Sequence, residues 1–428
     1  MLQKWLDRFA DIRPHETRAT LWSFFYFFCL LGSYLILRPL RDEMGIAAGR
    51  DTLQYLFTAT FFVMLVASPL YAGLVAKWAR RDFIPLLYRF FIFNLAIFWS
   101  LLTFNLEVTW TARIFFVWVS VFNLFAVSVF WSFMADLFNT EQGKRLFGFI
   151  AAGGTAGTLL GSSITVSLSG LIGPANLLLV AGALLEAAIF CAGRLEKTSS
   201  TPAEHKHNDH QNPPALGGSM WEGFQLLLRS PYLTGIALWV GLLSLAGTFL
   251  YFIQQDVVRA ASDDPAVRTR IFASMDLIAN LMTLALQFLV TGQIIKRLGA
   301  GPAAALLPLL FALGFGALLL APGLITIVAF QALQRSVNFA FSNPAREILF
   351  TSIGREEKYK AKNLIDTVVF RGGDVVWSWI FSGLVGLMGS ALMVAGLAIP
   401  IMGGWAGLAL WLGRVQEKTL NQKWGGKT

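Results

Sequence analysis

Apolar runs long enough to cross a bilayer recur along almost the whole chain, and no other feature constrains its fold as strongly. The hydrocarbon core of a membrane takes about 20 helical residues. Within it each backbone N–H and C=O must be bonded inside its own segment, so a series of such runs folds only as a helical bundle. Twelve spans can be counted, at roughly 19–38, 53–76, 83–104, 110–138, 145–170, 174–193, 230–255, 269–295, 301–321, 323–350, 362–388 and 389–412. The expected class is an all-α membrane protein. Composition agrees: 56% of residues are hydrophobic and 14% charged, which excludes an ordinary soluble domain.

One long polar connector, 194–229, divides the spans six and six. The expected organisation is an N-terminal six-helix half (1–193), a linker (194–229) and a C-terminal six-helix half (230–428). The linker is rich in Ser, Pro, His and Gly and reads as disordered. Its His205, His207 and His210 read as solvated side chains, so neither a metal nor a cofactor is expected. Met220 to Arg229 carries the pattern of an amphipathic helix lying on the membrane.

The even-numbered connectors and both tails hold most of the Lys and Arg, which places both termini in the cytoplasm. The net charge of +9 is scattered over these short loops, so nucleic acid is not an expected partner. The first apolar run follows a charged tail and is long and aromatic, so no cleavable leader is expected. Cys29 and Cys191 lie inside apolar runs and imply no disulfide. The expectation is a multi-pass protein, monomeric, in a bacterial inner membrane.

Ionised residues inside spans carry the functional signal. Each costs about 2.5–3.5 kcal/mol at the bilayer centre and therefore faces a bundle interior or a wet cavity. Between Gln334 and Trp379, two apolar segments flank a basic connector, Arg355 to Lys362. The first holds Arg335 and Arg346, the second Asp366, Arg371 and Asp374. Arg335, Asn338, Ser342 and Arg346 follow steps of three, four and four, which keeps one helical face. Pro344 interrupts that ladder. Arg371 and Asp374, three apart, are spaced to pair.

Span 8 has a stripe of the same kind in Asp276, Asn280, Thr283 and Gln287. Span 1 ends in Arg38, Arg41 and Asp42 around Pro39, which is expected to break the helix. In span 4, Ser128, Ser132 and Asp136 share a face, with Asp136 as cavity residue or end cap. In span 5, Gly153, Gly157 and Gly161 form a small-residue packing face. Asn94 is expected to bond to a neighbouring helix, and Glu186 has no visible partner.

The loops after spans 2 and 8, Gly73 to Arg81 and Gly292 to Ala300, both place Gly four residues before Lys, at Lys77 and Lys296. They resemble the loop signature of the major facilitator superfamily, with Lys in both copies where that pattern has Asp. With twelve spans and a central linker, the resemblance covers the whole chain and implies a major facilitator-like fold.

Three segments further resemble the ATP/ADP translocase family: Phe130-Trp-Ser-Phe with the following Asp136; Pro344-Ala-Arg-Glu347 with Lys362 to Asp366 and Arg371 to Asp374; and Arg41-Asp42. That resemblance implies that Arg41 and Asp42 meet substrate phosphates and that Asp136 and Arg371 match further site residues. Asp374 stands where that family has lysine, and Glu43 where it has threonine.

Together these readings predict a secondary active transporter working by alternating access. The expected substrate is a small anion, with ATP or ADP exchange as the first form. Arg38, Arg41, Asp42, Asp136, Asp276, Asn280, Arg335, Asn338, Arg346, Arg371 and Asp374 are the expected substrate residues. Asp276, Asp366 and Asp374 are the coupling candidates; Gly73, Lys77, Arg81, Gly292 and Lys296 are the conformational loops. The alternatives are proton-coupled movement of an amphiphilic or lipid-like solute, and a non-transporting sensor on the same fold. An enzyme is not expected: no phosphate-binding loop ends in Gly-Lys-Ser/Thr, and no His lies in a span to activate a nucleophile.

Overall fold

The structure, a computed structural model, describes residues 12–77, 80–199, 220–289, 297 and 299–424. Among these are twelve helices long and apolar enough to cross a membrane. Their order follows the sequence reading: Thr17–Ala47, Leu53–Lys77, Arg80–Thr103, Val108–Leu137, Thr140–Ile172 and Pro174–Ser199 are spans 1 to 6. Spans 7 to 9 are Pro231–Ala261, Pro265–Leu289 and Ala300–Leu320. Spans 10 and 11 are the interrupted segments Leu324–Ser352 and Ile365–Met388, and span 12 is Ala391–Trp424. Met220–Arg229 is helical, as its amphipathic pattern predicts. The linker histidines, Gly292 and Lys296 lie outside the described residues, as do the side chains of Lys77 and Arg81.

Span 5 begins about five residues before the predicted point, because Asn139 and Gln142 form a capping box. Asn139 Oδ1 accepts from the Gln142 amide (2.9 Å), and Gln142 Oε1 accepts from the Asn139 amide (3.1 Å). The helix therefore starts in polar sequence that hydropathy does not count.

Packing divides the chain into two compact units, Met1–Lys206 with Ala261–Leu277, and His207–Ala260 with Ile278–Thr428. In the first, span 1 is the central element, packed by spans 4, 5 and 6. The glycine stripe of span 5 sets the closest approach: a Cβ on Gly157 would overlap the Phe28 carbonyl, and one on Gly161 the Gly32 carbonyl. Phe27 stacks on Phe130 of span 4 (4.1 Å, 10°), and the Tyr26 and Tyr88 hydroxyls share a hydrogen bond of 2.8 Å. Ser33 donates to the Ala181 carbonyl of span 6 (3.0 Å). Pro39 does not break span 1, contrary to the sequence reading; the helix runs through it. Proline removes one ladder bond, and the helix around it is held by burial: Ile36, Leu37 and Leu40 are buried to within 1%.

In the second unit, spans 9 and 12 approach until Gly301 and Gly413 meet backbone to backbone. Trp239 lies against Trp405 (5.7 Å), and Phe330 meets Phe311 and Phe315 edge-on. The outer surfaces invert the soluble pattern, with Leu320 89% and Ile325 87% exposed, as lipid-facing positions should be.

Candidate functional site

The first unit gathers charge where span 1 ends and span 8 begins. Span 1 stays helical to Ala47, so Arg38, Arg41, Asp42 and Glu43 project from a rigid rod. Arg38 Nη1 lies 3.2 Å from Asp276 Oδ1, with the Asp276 side chain 3% exposed. Arg41 turns to its neighbour: Nε and Nη2 donate to Asp42 Oδ1 at 3.1 and 2.7 Å, and the guanidinium sits 5.3 Å from the Phe116 ring centroid. Glu43, read from sequence only as a residue in the place of a threonine, accepts from Arg268 Nε (3.2 Å) and Nη2 (2.6 Å). Arg268 Nη1 also donates to the Ser262 and Asp263 carbonyls. The acids of these pairs and Arg268 are buried, whereas Arg38 and Arg41 are half-buried; charge-assisted bonds hold each pair.

The second unit carries the other polar faces on interrupted helices. Span 10 is α-helical over Leu324–Val337, passes through one π-turn at Asn338–Ser342 and resumes at Asn343–Leu349. The Asn343 amide reaches back five residues to the Asn338 carbonyl. This is how the chain takes up Pro344, which has no amide to donate: the extra residue moves the interruption ahead of it. Span 11 has a matching π-turn at Ile365–Val369, again with a five-residue bond, from Phe370 to Ile365. Arg346 Nη1 meets Asp366 Oδ1 at 3.2 Å, and Lys362 Nζ meets both Glu347 oxygens at 2.6 and 2.7 Å. Spans 10 and 11 are thus tied together close to their π-turns.

Along the span 10 face, Asn338 Oδ1, Ser342 Oγ and Arg346 Nε are buried atoms with no hydrogen-bond partner; so is Asn280 Nδ2 on span 8. Ser336 Oγ donates within span 10 to the Ala332 carbonyl (2.7 Å) and lies 3.2 Å from the Ala279 carbonyl of span 8, so the two spans are in contact there. Two acceptor-capable oxygens and two N–H donors left unmatched make a face that a polar ligand with both kinds of group can satisfy.

Asp374 and Arg371, spaced to pair, interact by charge but form no close ion pair. Asp374 accepts from Ser244 Oγ of span 7 at 2.6 Å, because Gly373 leaves room for that hydroxyl: a Cβ there would stand 2.9 Å from it. Arg371 is exposed and lies by the Phe370 ring. Arg335 is half-buried, and Asp136 is exposed in the last turn of span 4. The span 8 stripe is only partly joined to these groups. Thr283 donates to its own helix at the Ala279 carbonyl, and Gln287 is exposed. Asn94 likewise bonds within its helix, to the Phe90 carbonyl, rather than to a neighbour. Glu186 has a partner after all, Arg89 at 3.5 Å.

Other polar residues escape the sequence reading. Gln331 Nε2 bonds Gln254 Oε1, and Gln334 bonds Gln331 (2.8 Å), joining spans 7 and 10. Ser244 and Thr248 are four apart in span 7, both buried. Their signal is a polar residue at helical spacing in an apolar span, but short hydroxyls and lone amides also bond within their own helix, as Asn94 does.

Among known proteins, the family model described as Major Facilitator Superfamily matches residues 19–361. Among solved structures, the nucleoside transporter NupG aligns with TM-score 0.59 at 16% identity, covering 95% of this chain and 99% of that one. A bacterial homolog to the human lysosomal transporter Spinster, in an inward-facing and unoccupied conformation, aligns with TM-score 0.56 at 14% identity, covering 94% and 93%. At such identities the likeness is one of fold. No curated protein matches the sequence.

Proposed function

The chain belongs to the Major Facilitator Superfamily, and on that premise we propose that it moves a small anionic molecule across the membrane by alternating access, in exchange for a related anion. The observation that carries this reading is the face of span 10. There Asn338, Ser342 and Arg346 each bury a polar atom that no protein group satisfies. Arg346 gives the anion a cationic anchor, and the Asn338 and Ser342 groups can bond a hydroxyl or amine on the same molecule.

Asp366 gives the exchange reading a physical basis. A phosphate or carboxylate arriving at Arg346 takes over the place of the Asp366 carboxylate, and when it leaves Asp366 returns. The cation is never left alone in the bilayer, where an uncompensated charge is costly. A carrier that reorients most readily with its anchor neutralised would favour exchange over one-way release.

Charge balance limits the substrate. Within the second unit the candidate set holds three guanidiniums (Arg335, Arg346, Arg371) and two carboxylates (Asp366, Asp374). Arg346 already has Asp366 beside it. A phosphorylated metabolite of low charge, such as a nucleoside monophosphate, fits this balance better than a triphosphate does. ATP or ADP exchange is the specific form implied by the translocase-like segments. A second reading, proton-coupled movement of an amphiphilic solute, is favoured by Asp374, a carboxylate that accepts from the Ser244 hydroxyl, on the span that also buries Thr248. The fold neighbours include a nucleoside transporter, so uncharged nucleosides belong in the same assay.

The test is uptake of labelled AMP, ADP, ATP, a sugar phosphate and a nucleoside into proteoliposomes, with and without internal anion. Anion-stimulated uptake of one phosphorylated compound, reduced at least about tenfold in Arg346→Gln, supports the proposal. Uptake of none, or undiminished uptake in that variant, rejects it. Uptake that needs a proton gradient but no internal anion selects the second reading.

A further inference from the structure

We propose that the cleft between spans 2 and 4 is a binding site for one anionic phospholipid, with its acyl chain in the cleft and its phosphate on Arg113. The cleft belongs wholly to the first unit and has a volume of about 740 Å³. One wall comes from Thr52 and the start of span 2, as far as Val63, and the other from span 4, from Trp110 to Val121. Each wall covers eleven residue steps, so at 1.5 Å per residue the cleft is roughly 16 Å long. That is about half of the 30 Å hydrocarbon core, the depth of a single leaflet. A lipid chain running from headgroup level to the midplane has this length; a compact soluble solute does not need it.

The chemistry of the walls changes along that length. Leu56, Ala59, Val63, Val117 and Val121 make the deep part largely aliphatic. Trp110 and Tyr55, both more than half exposed, stand at the loop end, where aromatic side chains mark the membrane interface. Arg113 is the sole charged residue among those lining the cleft and lies at that same end. Its guanidinium rests 4.8 Å from the Trp110 ring centroid, and Nη2 makes one long bond, 3.4 Å, to the Ala48 carbonyl. Its Nε is buried with no partner, and no carboxylate among the described residues pairs with it. The other arginines of this unit that enter the bundle, Arg38, Arg41 and Arg268, each have an acid. Arg113 differs from them in what it needs: an anion from outside the chain. A phosphate diester at the head of a chain already seated in the cleft supplies it, and the planar guanidinium can take two of its oxygens. Neutral lipid fits the groove but leaves the cation unmatched.

This site is separate from the span 10 face and stands whatever the substrate proves to be. The experiment is native mass spectrometry of the purified protein after delipidation and re-addition of phosphatidylglycerol or phosphatidylcholine with identical chains. Wild type should retain one phosphatidylglycerol at about tenfold higher occupancy than phosphatidylcholine, the size of one charge-assisted contact. Glycerol phosphate, which carries the charge without the chain, should not displace it. Arg113→Gln should reduce the preference to near unity while its melting temperature in phosphatidylcholine matches wild type, and Arg113→Lys should keep part of it. Equal retention of the two lipids by wild type overturns the proposal, a result that needs no variant. Displacement by glycerol phosphate, or an unchanged preference in folded Arg113→Gln, overturns it too.

Discussion

Glu43 and Arg268 show how much a buried pair depends on both members. Arg268 is 8% exposed and Glu43 1%, so removing either strands a charge and should destabilise the protein by about 3–5 kcal/mol, whereas replacing both by apolar groups can be close to neutral. Arg268→Met is therefore expected to lower the melting temperature in detergent sharply, and Glu43→Leu with Arg268→Met to recover most of it. A single variant as stable as wild type would show that the pair is not stabilising. Glu16 behaves differently because it titrates outside the spans. Its burial alone would raise its pKa, but bonds from Arg145 (3.0 and 3.3 Å), Gln142 (3.0 Å) and the Arg13 amide (3.1 Å) outweigh that and hold it below the usual glutamate value. The stabilisation is thus complete above about pH 4.3, the unfolded value, and is lost as pH falls through the lower folded one. Glu16→Gln should melt earlier at pH 7, and the difference should vanish in acid; a constant offset at every pH would contradict this.

At the scale of the element, the helices are legible in the sequence and their interruptions are not. Hydropathy locates twelve spans because lipid leaves little choice between helix and nothing. The π-turns of spans 10 and 11 are invisible to it, since an extra residue changes neither composition nor length enough to register. Pro39 and Pro344 show why proline alone is a poor guide: one sits in an unbroken helix, the other follows a π-turn. The polar faces are partly legible. Arg335, Asn338, Ser342 and Arg346 stand out by period, but Asp374's true partner, Ser244, lies 130 residues away and no local spacing points to it. Deleting Ala340 should let the Asn343 amide close an ordinary four-residue bond to the Asn338 carbonyl, turning the π-turn into α-helix while Arg346 keeps its face. Transport should then fall less than in Arg346→Gln, with the protein still eluting as a folded species; a loss as complete as in that variant would mean that the π-turn itself sets the site.

For the whole molecule, the twelve-span fold is readable from sequence because it rests on length and polarity, and the substrate is not, because it rests on a few contacts. Orientation stands between the two, resting on where Lys and Arg fall. Single cysteines placed at Ser200 and at Gly323, the latter in the turn Ala321-Pro322-Gly323, should report it in intact cells, in a chain freed of Cys29 and Cys191. Ser200 is expected to be shielded from an impermeant thiol reagent and Gly323 to be labelled. The reverse pattern would invert the topology, together with the assignment of both termini to the cytoplasm.

The separation of Glu43 from Arg268 also bears on how the protein is made. They are 225 residues apart, and ribosomes add about 5–20 residues per second, so Glu43 is synthesised roughly 11–45 seconds before the arginine that will neutralise it. Arg145 follows Glu16 by 129 residues, a shorter wait of the same kind. The first hydrophobic segment therefore has to be sheltered, by the insertion machinery or at the headgroup layer, until the second half of the polypeptide emerges. A nascent chain halted before Arg268 should leave that segment loosely held and open to proteolysis.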